Sequence, residues 1–438
     1  MLIADVQPDI AGLYTVVISN PSGSVTSNPA TLTVNAAPTG GGTTTTTTVA
    51  SQPQSQVISG GATVVFTATF SGSGSSGTQT VLRTAASLGT RNPALLTRAS
   101  GTTYQWFYNG VPIPGATSTT YVLYGATAAN NGSYSCIATS SSGVAVSQPA
   151  TLSVVAAPVN PGRIANVSCR APVGTGADQL IVGYVVGGQG TSGTEPLLIR
   201  ASGPALTPFG VAGVLSDPEL TLNDSSGVIG TDAGWAGDAH VASTASQVGA
   251  FAWGSTTSLD SALVDSLGNG AYTAQVTGAR GDTGIALAEI YDATPAASYS
   301  ATSPHLINIS ARVKVGTGAN QLIAGFVVSG TTAKTVLVRA SGPALSTFGV
   351  SGTLADPQLR IFQSNSDGTS TLLQTNTGWG ADTQVFGAAS HVGAFSWGTA
   401  ATADSAILIT LPPGAYTAQV SGASGDTGIA LVEVYDVQ

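Results

Sequence analysis

The sequence predicts an all-β chain, and three observations carry that prediction. Short runs rich in β-branched residues, such as TLTV (31–34), TVVFTATF (63–70), ATLSVV (150–155) and TVLVRA (335–340), are bounded by Gly, Pro, Asn or Ser. No amphipathic stretch of helical period exceeds about ten residues. The 438 residues include 56 Gly, and 42% are hydrophobic, too many for a chain disordered throughout. The glycines have no period of three, which excludes collagen. Charged residues make up only 8%, about a third of the ordinary share. Lys plus Arg number 12 against 21 Asp plus Glu, a net charge of −9, which argues against nucleic acid as a partner because phosphate contacts need a basic stripe. No run of about 18 apolar residues predicts membrane insertion. The length corresponds to roughly three domains.

Taken in order, the chain begins with MLIADVQPDIAG, which lacks the basic and apolar regions of a signal peptide. The expectation is that a leader has been removed or that this is a piece of a longer chain. Residues 1–34 end in DIAGLYTVVISNPSGSVTSNPATLTV. Residues 35–48, NAAPTGGGTTTTTT, read as a Gly/Thr linker. Residues 49–155 contain TYQWFYNGVPIPGAT and NNGSYSC, with Trp106, Tyr134 and Cys136. Pro-bearing linkers at 156–162 and 293–304 then set off two internal copies, 163–294 and 305–438. RIANVSCRAPVGTGADQLIVGYVV (163–186) matches HLINISARVKVGTGANQLIAGFVV (305–328) at 14 of 24 positions, and GAYTAQVTGARGDTGIALAEIYD (270–292) matches GAYTAQVSGASGDTGIALVEVYD (414–436) at 19 of 23. RASGPAL recurs at 200–206 and 339–345. A period this long is not a solenoid unit, so each copy is expected to fold alone.

Residues 49–155 resemble an immunoglobulin domain of the I-set type. Trp106 matches the strand C tryptophan followed by its NG turn, and Tyr134 stands two residues before Cys136, the spacing of the tyrosine corner. The resemblance implies that these three residues lie in the sandwich core. It departs at strand B, where FTATF has no cysteine, so the family disulfide is absent and Cys136 is expected as a buried thiol. Residues 1–34 resemble only the last strands of such a domain, with Asp9, Gly12 and Tyr14 in the strand F pattern and Val16 in the cysteine position. Their missing strands are expected from upstream sequence or from another molecule. The duplicated part resembles a module at the C-terminal ends of large secreted bacterial proteins, and its last segment is similar to pre-peptidase C-terminal domains, which are jelly-roll sandwiches. The fold expected is a tandem array of β-sandwiches, Ig-like followed by two jelly-roll-like repeats.

Chemistry is sparse. There is no nucleophile elbow, HExxH, P-loop or CxxC pair. GTGADQL and GTGANQL read as turns before strands. His240, His305 and His391 face Gln384, Arg163 and Gln247 in the repeat alignment, so no histidine role is shared. The chain is therefore read as no enzyme, without an obligatory cofactor. Six acids persist in both copies, namely Asp217/Asp356, Asp238/Asp382, Asp260/Asp404, Asp282/Asp426, Glu289/Glu433 and Asp292/Asp436, as do Arg170/Arg312 and Arg200/Arg339. One reading has the aspartates capping turns and the arginines pairing with carboxylates. The other is a Ca²⁺ site, for which Asp282, Asp292, Asp426 and Asp436 are the candidate ligands. Trp235 and Trp379, in GW turns, are candidate sugar-stacking platforms, against the reading that the repeated aromatics are core. The 71–102 insertion carries Arg83, Arg91 and Arg98 and no acid. It reads either as a disordered loop or as a docking arm for self-association. The leading expectation is a non-enzymatic secreted or cell-surface structural or adhesive protein. Its expected partners are copies of itself, as a filament subunit, or other surface proteins. The alternative is a carbohydrate-binding accessory module of a larger secreted protein.

Overall fold

The computed structural model describes residues 12–14, 17–20, 23–26, 30–32, 46–71, 102–140, 142–156, 158–398 and 402–438. The described residues are nearly all β, as the alternation in the sequence requires. Their compact units are two. One lies within Met1–Gln54, Thr67–Tyr121 and Ser133–Ala150, and the other comprises Ser55–Phe66, Val122–Gly132 and Thr151–Gln438. The insertion expected at 71–102 lies almost wholly outside the described residues, as does most of the 35–48 linker.

In the first unit, β1 (Gly12–Tyr14) pairs with β4 (Ala30–Leu32), and β2 (Val17–Asn20) with β3 (Gly23–Thr26), all antiparallel. β5 (Thr48–Ser51) pairs with β8 (Thr69–Ser71); β6 (Gln56–Ser59) and most of β7 (Val64–Thr67) belong to the second unit. β9 (Thr103–Tyr108) turns through Asn109 and Gly110, both at positive φ, into β10 (Val111–Pro112). An Asn-Gly pair is what a two-residue hairpin needs, because both central residues adopt φ > 0. After β11 (Thr120–Leu123), β12 (Gly132–Ser140) lies antiparallel to β9 and is flanked by β13 (Gly143–Val146).

The second unit is dominated by the internal repeat. β14 (Ala150–Val155) alternates buried and exposed residues and runs parallel to β6. Copy 1 then supplies β15 (Arg163–Val173), β16 (Leu180–Gly187), β17 (Thr194–Ser202), β18 (Pro218–Asp224), β19 (Gly227–Asp232), α1 (Ala239–Gln247), β20 (Ser261–Gly268), β21 (Gly270–Gly278) and β22 (Gly284–Asp292). Copy 2 repeats them as β23 (His305–Val315), β24 (Leu322–Ser329), β25 (Lys334–Ser341), β26 (Pro357–Ser364), β27 (Ser370–Asn376), α2 (Thr383–His391), β28 (Ser405–Leu411), β29 (Gly414–Gly422) and β30 (Gly428–Asp436).

The expectation that each copy folds alone is corrected by the strand pairing. β15 lies between β22 of its own copy and β24 of the other. Reciprocally, β23 lies between β30 of its own copy and β16 of the other. Two mixed strand paths result, β20-β17-β22-β15-β24-β29-β26-β27 and β28-β25-β30-β23-β16-β21-β18-β19, bridged where Ile164 meets Leu306. One hydrophobic core serves both copies, with Val167, Cys169, Val182 and Tyr184 beside Ile309, Ala311, Ala324 and Phe326. Serines and glycines face each other at the exchanged seam. A Cβ on Gly183 would sit 2.9 Å from Ser310 Oγ, and one on Gly325 would sit 2.6 Å from Ser168 Oγ.

The segment Ser55–Phe66 packs onto copy 2 of the same unit. Ala333 N donates to Val57 O at 2.6 Å, Val65 N to Thr410 Oγ1 at 2.6 Å, and Thr335 Oγ1 to Thr63 O at 2.6 Å. Val65 shares a hydrophobic cluster with Leu337, Leu408 and Val437.

Candidate functional site

Trp106, Tyr134 and Cys136 come together as the Ig-type pattern implies. Trp106 and Cys136 are directly opposite across β9 and β12, and both are fully buried. The Tyr134 ring packs 5.0 Å from Tyr108 and 6.0 Å from Tyr121. Cys136 is a free thiol, and burial pushes its pKa up to about 12, so it behaves as a small hydrophobe. Cys169 is likewise free and buried, opposite Ala288 and Ala324.

The sugar-platform reading of Trp235 and Trp379 is corrected. They are only 9% and 5% exposed, and a ring stacked on a sugar must present an open face. Each packs edge-on against a second tryptophan, Trp253 at 5.4 Å and Trp397 at 5.9 Å. The second pair donates its indole N–H groups to Ser202 and Ser341, each at 3.0 Å. Beneath them lie Arg200 and Arg339, each 1% exposed. The Arg200 guanidinium sits 4.5 Å from Phe251 and 4.3 Å from Trp253, and Arg339 sits 4.4 Å from Phe395 and 4.1 Å from Trp397. Their ion-pair partners are Glu289 at 3.5 Å and Glu433 at 3.6 Å. The repeated Phe, Trp, Arg and Glu positions thus form one buried cation–π and ion-pair assembly in each copy.

The four acids considered for calcium are not brought together. Asp282 and Asp292 stand at opposite ends of β22, about 30 Å apart at the rise of a strand, and the same holds for Asp426 and Asp436 across β30. Asp292 forms an ion pair with Arg163, and Asp436 one with Lys334 at 2.7 Å, with His305 Nε2 in hydrogen-bond contact at 3.0 Å. Asp282 meets Asp217. That hydrogen bond holds the Asp217 carboxyl above the usual range and Asp282 below it. In copy 2 Asp426 is the raised member and Asp356 the lowered one. Asp217 Oδ1 and Asp282 Oδ1 are both buried without a donor. Among the described residues no group of three or more His, Cys, Asp or Glu gathers in metal-binding geometry. The other repeated aspartates cap turns. Asp260 and Asp404 accept from Gly203 N and Gly342 N at 2.6 and 2.7 Å, and Asp238 and Asp382 cap α1 and α2. Arg83, Arg91 and Arg98 lie outside the described residues.

A buried charged cluster that the sequence reading missed sits where the copies join. Tyr299 is packed beneath the Arg163 guanidinium at 3.9 Å and beside His305 at 6.3 Å. Glu195 is fully buried there, and both its oxygens lack a hydrogen-bond partner. Burial, reinforced by the Asp292 charge, pushes its pKa up to about 9, so the carboxyl is protonated at neutral pH. At the position of Glu195 the second copy has Lys334.

A cleft of about 750 Å³ opens where β15 and β23 end, at Val173 and Val315. Both copies build it from the same loops. GTGADQL and GTGANQL form short 3₁₀ turns, closed by Gly174 N to Asp178 O at 2.7 Å and Gly316 N to Asn320 O at 2.8 Å. Thr283–Ile285 and Thr427 with Ile429 supply the other wall. The backbone of the cleft is near-symmetric but its charge is not. Where copy 1 places Pro172 and Asp178, copy 2 places Lys314 and Asn320, and Arg312 adds a second cation. Arg170 and Arg312 were expected to pair with carboxylates. Among the described residues, Arg170, Arg312 and Lys314 form no ion pair. The signal in the sequence was that asymmetry within otherwise identical loops.

No family model and no curated protein matches the chain. Among solved structures it is similar to Ig-domain proteins. The N-terminal four Ig domains of Dscam1 isoforms 4.44 and 8.4 align at 20% identity, with TM-scores of 0.17 and 0.16, over 34% of this chain and 29% of theirs. The tandem Ig repeats of Dlar align at 17% identity over 33% of this chain and 63% of that one, with a TM-score of 0.21. The chain therefore spans about three tenths of the Dscam1 structures. The Ig-like character of the first unit stands on its own register of Trp106 against Cys136 and on its Asn-Gly hairpin.

Proposed function

We propose that this chain is a non-enzymatic, extracellular structural module of adhesive type, whose partners are copies of itself or other surface proteins. The observation that supports this reading is where the repeated chemistry goes. Asp238, Asp260, Arg200, Glu289, Trp235 and their counterparts in copy 2 are all engaged in capping, ion pairing or core packing. A catalytic pair needs side chains left over to meet a substrate, and these have none to offer. Among the described residues no helix is long and apolar enough to cross a membrane, and the low charge and abundance of Gly, Ser and Thr suit a secreted β-protein.

The finer form of the proposal is a filament subunit, in which the apolar, basic segment 71–102 docks on the Ig-like strands of a neighbour. Beads coated with the purified chain test the general reading by clustering with one another or attaching to surface-protein-coated beads. Absence of both, or turnover of a hydrolase substrate panel by the pure protein, overturns it. Deleting 71–102 tests the finer form, which requires that the parent assemble by sizing chromatography and that the deletion abolish assembly.

A further inference from the structure

We propose that the cleft between the two copies binds a saccharide bearing carboxylate groups, with Arg312 and Lys314 taking its acidic substituents. The proposal rests on the adhesive reading and gives it a ligand class. The volume of about 750 Å³ falls within the range of small-ligand sites, roughly 300–1,000 Å³. Arg312 and Lys314 are both exposed and two residues apart on β23, so they project on the same face about 7 Å apart. In a chain with only 12 cations and a net charge of −9, two cations without acidic partners in one cleft form a local field that selects for anions.

The rest of the lining specifies what carries the anion. Thr283, Thr317, Thr427, Gln179 and Asn320 present hydroxyl and amide groups, which donate to and accept from ring hydroxyls. Among the described residues no aromatic ring lines the cleft, so these residues offer a neutral sugar no stacking surface. Pro172 and Val173 of β15 and Val313 to Val315 of β23 are paired only on the edge that meets their own copy, so an acidic peptide adding as a strand is the competing occupant, and the triglutamate probe below tests it. Among the described lining residues the acid is Asp178, contributed by copy 1, so the two halves of the cleft differ in charge and an asymmetric ligand meets them differently.

Isothermal titration calorimetry of the full chain with trigalacturonate tests the site, using the fully methyl-esterified trisaccharide and a triglutamate peptide as comparison probes. Trigalacturonate is expected to bind, and its affinity is expected to fall as salt rises from about 20 to about 200 mM. The double variant Arg312→Gln, Lys314→Gln is expected to lose at least tenfold in affinity while melting as the parent does. Arg360→Gln, a cation on β26 that is not among the residues lining the cleft, is expected to bind as the parent. No binding, equal affinity for the methyl ester, equal affinity for triglutamate, or an unchanged double variant each overturns the proposal. Bead attachment reports separately on the adhesive reading, so binding without attachment sinks that reading and leaves the cleft standing.

Discussion

At the scale of single residues, the buried carboxyls give the clearest pH signatures. Glu195 has a folded pKa near 9, against about 4.3 for an unperturbed Glu. Between those values the unfolded chain releases the proton while the folded chain keeps it. Stability therefore falls as pH rises through this window, by at most about 1.4 kcal/mol per unit. Glu195→Gln keeps the neutral shape and removes the titration. Denaturant melts from pH 5 to 9 are expected to show a falling midpoint for the parent and a flatter one for the variant; parallel curves would contradict the assignment. The Asp217–Asp282 pair gives a second test. Two carboxylates in contact repel once both ionise, and Asp217 is the raised member. Its contribution is present below the ordinary Asp range and is lost as pH rises through the raised value. Asp217→Asn is therefore expected to melt at or above the parent temperature at pH 8, since the ion pair it gives up is to an Arg280 side chain that is 84% exposed. A chelator is expected to leave the parent unchanged, because two carboxylates fall short of the six to eight oxygens calcium takes. A lower melting temperature for the variant together with a chelator-sensitive parent would instead identify a bridging cation.

At the scale of elements, most of the local structure was legible because it follows short-range rules. The Asn109-Gly110 hairpin, the capping aspartates and the period-two strands all depend on residues within a few positions of one another. The recurring RASGPAL segment shows where that legibility ended. In the sequence it was only a repeat. In the fold, Gly203 and Gly342 end β17 and β25 with ordinary negative φ, so left-handed backbone is not their reason. Space is: a Cβ would fall 2.1 Å from Leu215 O in copy 1 and 2.2 Å from Leu354 O in copy 2. These are backbone atoms that cannot rotate away. Gly203→Ala is expected to destabilise by about 1–3 kcal/mol through overpacking, whereas Gly176→Ala, at positive φ with open space around it, is expected to cost only about 1 kcal/mol. Equal losses in chemical denaturation would show that close approach is not what fixes Gly203. Of the two readings open for Trp235 and Trp379, the platform fails for a related reason: a GW turn looks exposed, and only packing against the following helix, invisible to local pattern, closes the face.

At the scale of the whole molecule, the exchange of strands between copies could not be read from the sequence, because the duplicated sequence is degenerate with respect to it. β16 and β24 read LIVGYVVG and LIAGFVVS, so the edge of β15 that meets β24 would be matched almost as well by β16. The alternating pattern fixes which face is buried and leaves open which copy supplies the neighbour. What decides is the closed arrangement, in which β15 and β23 each gain partners on both edges and one core spans both copies. This makes a strong demand on a fragment. Residues 305–438 alone retain β23 and β24 but lose β16 and β15, leaving two open strand edges and half of a shared core. Open edges recruit a matching strand from another chain, and a second fragment carries β24 in place of β16 and β23 in place of β15. The isolated fragment is therefore expected to elute as a dimer of twice its mass, with a melting temperature that rises with protein concentration, because only the dimer is folded. At high dilution it is expected to lose its cooperative transition. A monomeric 305–438 fragment that melts cooperatively at a concentration-independent temperature would show that a single copy closes on itself, and that the pairing of β15 with β24 is not needed for the fold.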